Sequence, residues 1–473
     1  MISSTVGLLA GTATTGTATT GRTPSKVRPI VGSPAQITLG VLMSMIYLLA
    51  LGGQQDRIAI GVIAVGACMA IVWPAAGLAM FAIIMPMREP EILVPIRFNA
   101  IMAGAIALGC LLRLPMDRLL LKVHPGIVIL LGYVIISALS IPPVLSGHPP
   151  DWTPSAMNQL LRLSTGVALF LSASYLFKLM SPRAIVVIAL IGATLTALLA
   201  LGDILHFLPF EGLTHGLVEK TGGLRASGAF ADPNFLGLYI ATAAVFVLGV
   251  LVVASRPLKV LLIPIVILLF VCVALTYSRG AYLGAVAGVV VLAGLRNRVA
   301  GLMLLIAAGI LAVTLYPAFL EARQGQLLSP IDTYDMVRGQ DTRTTIAAAG
   351  LAMFAAFPVF GVGFGVFQFV SPSYITGGAP DSTYSHNQYV NILAEQGIVG
   401  ILLVGAIVVL VTVALARSRS PLRAAALAMG ATYLASSLFL HSATVFQSSS
   451  LIWLVMAAAL VPGPDRTDQV TET

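Results

Sequence analysis

The sequence is poor in charge, and this shortage decides the class of protein. Asp, Glu, Lys and Arg make up only 9% of the 473 residues, hydrophobic residues make up 58%, and the mean hydropathy is +0.98. A typical soluble domain is about one quarter charged. Apolar runs such as Ala241 to Ala254 and Gly400 to Ala416 are too long for a soluble core to bury on all sides. The composition therefore excludes a soluble globular protein and predicts a polytopic α-helical membrane protein.

Cysteine and histidine are scarce as well. The three cysteines, Cys68, Cys110 and Cys272, all lie in apolar runs, and no two of the six histidines are three or four residues apart. Neither a disulfide framework nor a zinc or copper site is expected from this pattern. The sequence predicts no metal and no cofactor. The net charge of +8 follows from membrane topology, as shown below, so no nucleic-acid partner is predicted.

The two ends of the chain are predicted to be tails. Residues 1–36 are rich in Thr, Ala and Gly, and their basic residues lead directly into an apolar helix, which is not the order found in a signal peptide. We expect a disordered cytoplasmic tail there. Residues 462–473 are predicted to be a second cytoplasmic tail. The transmembrane domain, which would carry any catalytic site, is predicted to span residues 37–461.

Between these tails the hydropathy pattern predicts an all-α transmembrane bundle. The segments near Ile58 and Pro74 are short of the ~20 residues that a span needs, so they are expected to form one broken or re-entrant pair. We therefore predict 12 to 14 spans. Apolar segments begin near Ile37, Ile58, Pro74, Phe98, Gly126, Leu160, Arg183, Asn234, Leu258, Ala281, Val299, Asn387, Leu422 and Ala443.

The basic residues predict the orientation of the bundle. If the N-terminus is cytoplasmic, every basic connection falls on the cytoplasmic face, as the positive-inside rule requires, and the C-terminus lies there too. Nine cations are left on the external face, against the insertion bias, and these are candidates for a functional role. The basic connections carry Arg113/Arg118/Lys122, Lys178/Arg183, Arg256/Lys259, Arg296/Arg298 and Arg417/Arg419/Arg423; the external cations are Arg57, Arg88, Arg97, Lys220, Arg225, Arg279, Arg323, Arg338 and Arg343.

Two sizeable loops are predicted on the external face, at residues 207–233 and 320–385. The second contains a helix-like piece, Arg343 to Phe357, which we expect to lie along the membrane surface as a lid. The glycines of Gly361-Val-Gly363-Phe-Gly365 follow it. We expect this stretch to act as a flexible hinge or to let backbone approach a ligand.

Three polar patches are predicted to meet on the external face. The first is Arg225 with Asp232-Pro233-Asn234, where Asp232 is expected to cap a helix. The second is the turn Tyr277-Ser278-Arg279-Gly280. The third is the stretch around His386. Two arginines and a histidine beside a helix N-terminus predict an anion site that contains a base.

The stretch Ser385-His386-Asn387-Gln388-Tyr389 marks the point where the chain re-enters an apolar helix. Ser385 and Gln388 have the spacing of a capping box, which predicts His386 as the first helical residue. The positive end of the helix dipole would then keep the imidazole neutral and able to accept a proton.

Each patch also has a purely structural interpretation. In it, Asp232-Pro233-Asn234 only starts a helix, and Arg279 reaches to lipid phosphate. Arg343 is then the partner of a loop aspartate, Asp335 or Asp341. Glu395 is expected to be a buried partner between helices. His441, at another external helix end, is expected to be interfacial.

The order of these motifs resembles the O-antigen ligase and O-antigen polymerase superfamily. The resemblance spans about Gly222 to Gly400 and depends most on Ser-His386-Asn-Gln-Tyr followed by Leu-Ala-Glu395-Gln-Gly. It implies a GT-C-like membrane glycosyltransferase in the bacterial inner membrane that acts in polysaccharide biosynthesis for the cell envelope. Its donor would be an undecaprenyl-pyrophosphate-linked glycan, and its acceptor a hydroxyl of a glycan, lipid or protein on the periplasmic face.

The resemblance also implies residue roles. His386 would be the catalytic base, Arg225 and Arg279 would bind the donor pyrophosphate, and Arg343 would contact substrate. Further candidates for substrate binding are Tyr389, Asn387, Asp232 and Asn234. The expected reaction is metal-independent and inverting, and a polymerase is slightly favoured over a ligase. The alternative is a transporter of a small anion such as bicarbonate, since such proteins share this hydropathy.

Overall fold

The computed structural model describes residues 33–87, 98–117, 125–141, 152–180, 182–205, 225–325, 330–375, 384–442 and 445–460. Within these ranges 83% of the residues are helical and no strand occurs. This confirms the predicted all-α membrane bundle. The predicted C-terminal tail and nearly all of the N-terminal one lie outside the described residues, as does most of the loop at 207–233.

Sixteen α-helices, α1 to α16, occur in the described part of the chain. Fourteen of them begin near a predicted segment start, and the other two, α12 and α13, lie in the predicted external loop. In chain order the helices are Pro34–Gly52, Asp56–Val72, Pro74–Ile84, Phe98–Asp117, Pro125–Leu139, Trp152–Leu176, Pro182–Ile204, Pro233–Val253, Arg256–Leu275, Arg279–Gly294, Arg298–Gly325, Pro330–Ala356, Phe367–Val370, Gln388–Arg417, Arg423–Ser436 and Phe446–Leu460.

Five of the described helices, α1, α7, α8, α9 and α14, are long and apolar enough to cross a membrane. Seven further apolar helices or helix segments have 10–17 residues each. The count of 12 to 14 spans therefore stays a prediction. Proline opens many of these helices, as at Pro74 and Pro233, because its fixed φ and missing N–H suit the first helical position.

The predicted broken pair is a helical hairpin formed by α2 and α3. The two helices are joined by Trp73 alone, and Gly66 and Gly77 of the hairpin lie against Met80 and Ala70. All 11 residues of α3 are buried. This short helix is therefore part of the core of the bundle and presents no face to lipid.

A stripe of glycines joins α10 to α15. A Cβ added at Gly284 would lie 2.6 Å from the carbonyl oxygen of Thr432, and one at Gly288 would lie 2.9 Å from that of Ala428. Small residues four apart let helix backbones approach closely in membrane proteins. The Ser436 hydroxyl completes the contact by donating to the Gly280 carbonyl at 2.9 Å. The start of α10 is thereby fixed against the end of α15.

The helix ends separate into two sets. At what we call the basic end, Arg113, Arg296 and Arg423 donate to the carbonyl groups of Val72, Val252 and Ala416. The Ser418 hydroxyl donates to the Ala459 carbonyl at the same end. The polar patches meet at the other end, which we call the site end, as the alternating topology predicts. Which end faces the cytoplasm remains a prediction from the positive-inside rule.

Candidate functional site

Arg225 is held beside the start of α8 by two hydrogen bonds. Its Nε donates to the Thr276 carbonyl at 3.0 Å, and its Nη2 donates to Asn234 Oδ1 at 3.2 Å. Asp232 Oδ1 in turn accepts from the Asn234 N–H at 2.7 Å and from Asn234 Nδ2 at 2.8 Å. Asp232 is thus the helix cap that the sequence predicts. The same contacts orient the Arg225 guanidinium next to the turn that precedes Arg279.

Arg279 is the first residue of α10, whose N-cap Ser278 accepts from the Ala281 N–H at 3.4 Å. Tyr277, just before it, has a left-handed φ of 49°. Strained backbone of this kind is held in place only by its surroundings and is common at functional sites. Arg279 lies on a cleft whose full lining is Asn234, Tyr277, Ser278, Arg279, Gly280, Arg343 and Phe439.

Arg343 of α12 lines the same cleft as Arg279. Burial lowers the pKa of Arg343 from its ordinary value, and the charges of Arg279 and Arg225 lower it further, while Asp232 acts in the opposite direction. Neither Arg279 nor Arg343 forms an ion pair with an acidic side chain within the described residues. The side chains of the alternative partners Asp335 and Asp341 lie outside those residues. The three predicted arginines therefore share one electrostatic environment in which positive charge is in excess.

His386 lies just before α14 rather than in its first turn, so the predicted position is wrong. Its φ is 51°, in the left-handed region, and the helix begins at Gln388 with Asn387 as its N-cap. The Asn387 side chain accepts from the N–H groups of Tyr389 and Val390 at 3.0 and 3.2 Å. Ser385 bonds Asn387 and Asn391 instead of capping the helix. Asn387 is therefore the N-cap of α14, and the His386 imidazole projects from a strained turn that precedes the helix.

The His386 imidazole is neutral near pH 7. Burial lowers its pKa to about 4, the charge of Arg343 adds to this, and Asp232 partly opposes it. The sequence predicted a neutral ring but assigned the cause to the helix dipole. The structure assigns it to burial and to Arg343.

His441, expected at the interface, is instead buried beside His386. The centroids of the two imidazole rings are 5.3 Å apart. Tyr384 stacks on His441 at 4.6 Å with an interplanar angle of 16°, and Phe235 of α8 contacts the same ring edge-on at 5.1 Å. Burial and the charges of His386, Arg162 and Arg343 lower the pKa of His441 to about 3.

Sequence reasoning missed this second histidine as a neighbour of the site. His441 follows α15, and the glycine contact between α10 and α15 brings the end of α15 to the start of α10. The spacing of small residues at Gly280, Gly284 and Gly288 was the available signal.

The remaining predicted site residues have structural contacts. Asn387 caps α14, and the Tyr389 hydroxyl donates to the Leu434 carbonyl of α15 at 2.8 Å. Asn234 lines the cleft and positions Arg225. Contacts of Asn387, Tyr389, Asp232 and Asn234 with substrate stay predictions.

The glycine stretch at 361–365, for which the sequence predicts a flexible hinge or a backbone approach to a ligand, instead packs against the backbone of α14. Gly397 breaks α14 with a φ of 62° and a ψ of −156°. The loop bonds this break on both sides: Ile398 N–H donates to the Pro358 carbonyl at 2.8 Å, and Val362 N–H donates to the Ala394 carbonyl at 2.9 Å. The glycines let loop backbone approach α14 backbone.

Glu395 and Gln396 complete this contact. Glu395 Oε1 accepts from the Phe367 N–H at 3.0 Å, so its partner is the start of the short helix α13. Gln396 accepts from the Tyr133 hydroxyl and donates to the Ser137 hydroxyl, both at 2.7 Å, which ties α14 to α5. The Glu-Gln-Gly part of the motif is therefore structural, whereas its Ser-His-Asn part lies at the site.

Part of the chain matches the model of a known family. Residues 264–405, less than a third of the chain, match the family model described as O-Antigen ligase. The matched range contains Arg279, Arg343, His386 and the Glu-Gln-Gly element, and it ends before His441. No curated protein matches the chain. Over residues 264–405 the match confirms the predicted resemblance to the O-antigen ligase and O-antigen polymerase superfamily.

Proposed function

We propose that the protein is a glycosyltransferase that moves a glycan from undecaprenyl pyrophosphate to an acceptor hydroxyl at the site end of the bundle, which faces the periplasm. The observation that carries this proposal is the meeting of Arg225, Arg279, Arg343 and His386 at that end. The three arginines supply an excess of positive charge, and His386 supplies a neutral imidazole.

The arginines fit the donor pyrophosphate. Arg279 and Arg343 line one cleft, and Arg225 lies close enough to lower the pKa of Arg343. Guanidinium groups bind phosphate oxygens bidentately and take up the charge that a pyrophosphate leaving group develops. The N-terminus of α10 adds backbone dipoles of the same sign.

His386 acts as the base in this scheme. The acceptor oxygen attacks the anomeric carbon as its proton passes to the imidazole. The bond from that carbon to the pyrophosphate oxygen breaks, and undecaprenyl pyrophosphate leaves with the electron pair. Bound pyrophosphate also offsets the charge of Arg343, which raises the pKa of His386 and makes it a stronger base when the donor is in place. Attack opposite the leaving group inverts the anomeric centre.

The placement of the groups favours this reaction over transport of a small anion. Transporters hold their substrates near the middle of the membrane at broken helices. The arginines here lie at the ends of α8 and α10, and the break in α14 at Gly397 is filled by loop backbone. A polymerase of an exported polysaccharide is slightly favoured over a ligase, and product length separates the two.

The test is glycan transfer by the purified protein in detergent, with a lipid-pyrophosphate-linked repeat unit from the host and EDTA present. We expect wild type to transfer, and His386→Ala and Arg279→Ala to lose at least ~10²-fold in rate. Arg298→Ala removes an exposed arginine from the basic end and should transfer like wild type. Full activity of the His386 variant would refute the assignment of the base. Bicarbonate uptake by proteoliposomes without transfer would favour the transporter.

A further inference from the structure

A stripe of polar side chains on α6 leads toward the site. Ser155, Gln159 and Arg162 lie four and three residues apart, so they share one face of the helix. Gln159 is buried and donates from Nε2 to the Tyr384 hydroxyl at 3.0 Å. At the outer end of the stripe, Gln368 of α13 donates to the Ser155 hydroxyl at 2.9 Å. None of these residues belongs to the arginine cleft.

This stripe reaches His386 through two stacked rings. Tyr384 lies between Gln159 and His441, and His441 contacts His386. The charge of Arg162 acts on both Tyr384 and His441. The arginine cleft, in contrast, reaches His386 through Arg343. His386 therefore has two separate sets of neighbours.

The proposed reaction needs two approaches to the base. An inverting substitution places the acceptor and the leaving group on opposite faces of the anomeric carbon, and the base must lie on the acceptor side. Since the pyrophosphate is assigned to the arginine cleft, the acceptor has to reach His386 from another direction. The stripe on α6 provides that direction with hydrogen-bonding groups and aromatic rings.

We propose that Ser155, Gln159, Arg162, Tyr384 and Gln368 form the acceptor subsite, and that its ligand is a neutral or acidic oligosaccharide. The inference rests on the proposed glycosyl transfer and adds the second substrate to it. Amide and hydroxyl side chains pair with sugar hydroxyls, and the stack of Trp152 on Phe369, with centroids 5.3 Å apart, offers an apolar rim for a sugar ring. The charge of Arg162 disfavours an amino sugar.

Binding of a lipid-free glycan tests the subsite without the donor. The probe is a radiolabelled oligosaccharide released from the exported polysaccharide of the host, measured by equilibrium dialysis against the full-length protein in detergent. Tyr384→Phe keeps the ring on His441 and removes only the hydroxyl, which is hydrogen-bonded to Gln159 and Ser155 of the same subsite. We expect about tenfold weaker binding in this variant, which corresponds to one lost hydrogen bond. Tyr133→Phe, which loses a buried hydroxyl contact to Gln396 instead, should bind like wild type.

Kinetics separate a subsite from an effect on His386. In the transfer assay Tyr384→Phe should raise the KM for the acceptor about tenfold and leave the KM for the donor unchanged. A variant that lowers kcat with both KM values unchanged would overturn the proposal, because Tyr384 would then act only through His441. Oligosaccharide binding that is equal in wild type and Tyr384→Phe, or absent from both, would overturn it as well. Failure of the proposed function looks different: the wild-type protein would transfer no glycan and would take up bicarbonate in proteoliposomes.

Discussion

Gly397 is a position where a single added methyl group should strongly destabilise the fold. Its φ of 62° and ψ of −156° lie in a region that is almost restricted to glycine, so a side chain there costs on the order of 1–3 kcal/mol in backbone strain. An added Cβ would lie 2.4 Å from the oxygen and 2.5 Å from the carbon of the Val359 carbonyl. These are backbone atoms of a loop whose hydrogen bonds hold it against α14. Relief of the clash costs a further ~1–3 kcal/mol.

We therefore expect Gly397→Ala to lower the stability of the protein by roughly 2–6 kcal/mol, the sum of the two costs. The assay is thermal unfolding in detergent, followed by loss of the monodisperse peak in size-exclusion chromatography. Gly405→Ala is the matched control, because it lies in the same helix and its Cβ would meet nothing within 4 Å. That variant should melt like wild type or slightly higher. If the two variants melt together, the reasoning about the kink is refuted.

The other predictions concern ionisation and the fixed loop. Since the pKa of His386 is lowered to about 4, the neutral base persists above that pH and is lost as pH falls through it. The value of kcat/KM for the donor should thus fall only on the acid side of about pH 5. Arg343→Gln should move this acid-side fall in kcat/KM to higher pH, whereas Arg343→Lys, which keeps the positive charge, should not. An unchanged pH profile in Arg343→Gln would contradict the effect of the Arg343 charge on the pKa of His386. Glu395→Ala should lose about 1–3 kcal/mol of stability, seen as earlier thermal unfolding, because it strands the buried Phe367 N–H. A melting temperature equal to that of wild type would show that this N–H finds another acceptor.

Local chemistry was enough to predict most of the helices. Pro233 after Asp232 marks the start of α8 because the cap and the fixed φ act within a single turn. The hairpin at Trp73 was foreseen from segment length alone. The alternation of basic loops also predicted that Arg225, Arg279 and His386 would meet at one end of the bundle.

Contacts distant in sequence could not be foreseen in the same way. The capping choice at 385–388 depends on Ser385 bonding Asn391, which removes the serine from the cap. The rigidity of the stretch at 361–365 depends on the break at Gly397, more than thirty residues later. The burial of His441 beside His386 is not predictable locally, because nothing near His441 in sequence indicates that α15 packs against α10. In each case a long-range contact overrides the local pattern.

The arginines of the basic end have a consequence for topology experiments. Arg113, Arg296 and Arg423 each donate to a carbonyl in the last turn of another helix, where α2, α8 and α14 end. The last carbonyl groups of a helix accept no hydrogen bond from an N–H of that helix. An arginine that donates to them therefore caps the helix and also acts as an orientation signal. Replacing these arginines by neutral residues, in order to reverse the orientation in the membrane, would also remove hydrogen bonds between neighbouring helices. A loss of function after such a replacement would therefore reflect impaired helix packing as much as a changed direction of insertion. Only a variant that retains the hydrogen-bond donor without the charge separates these two effects.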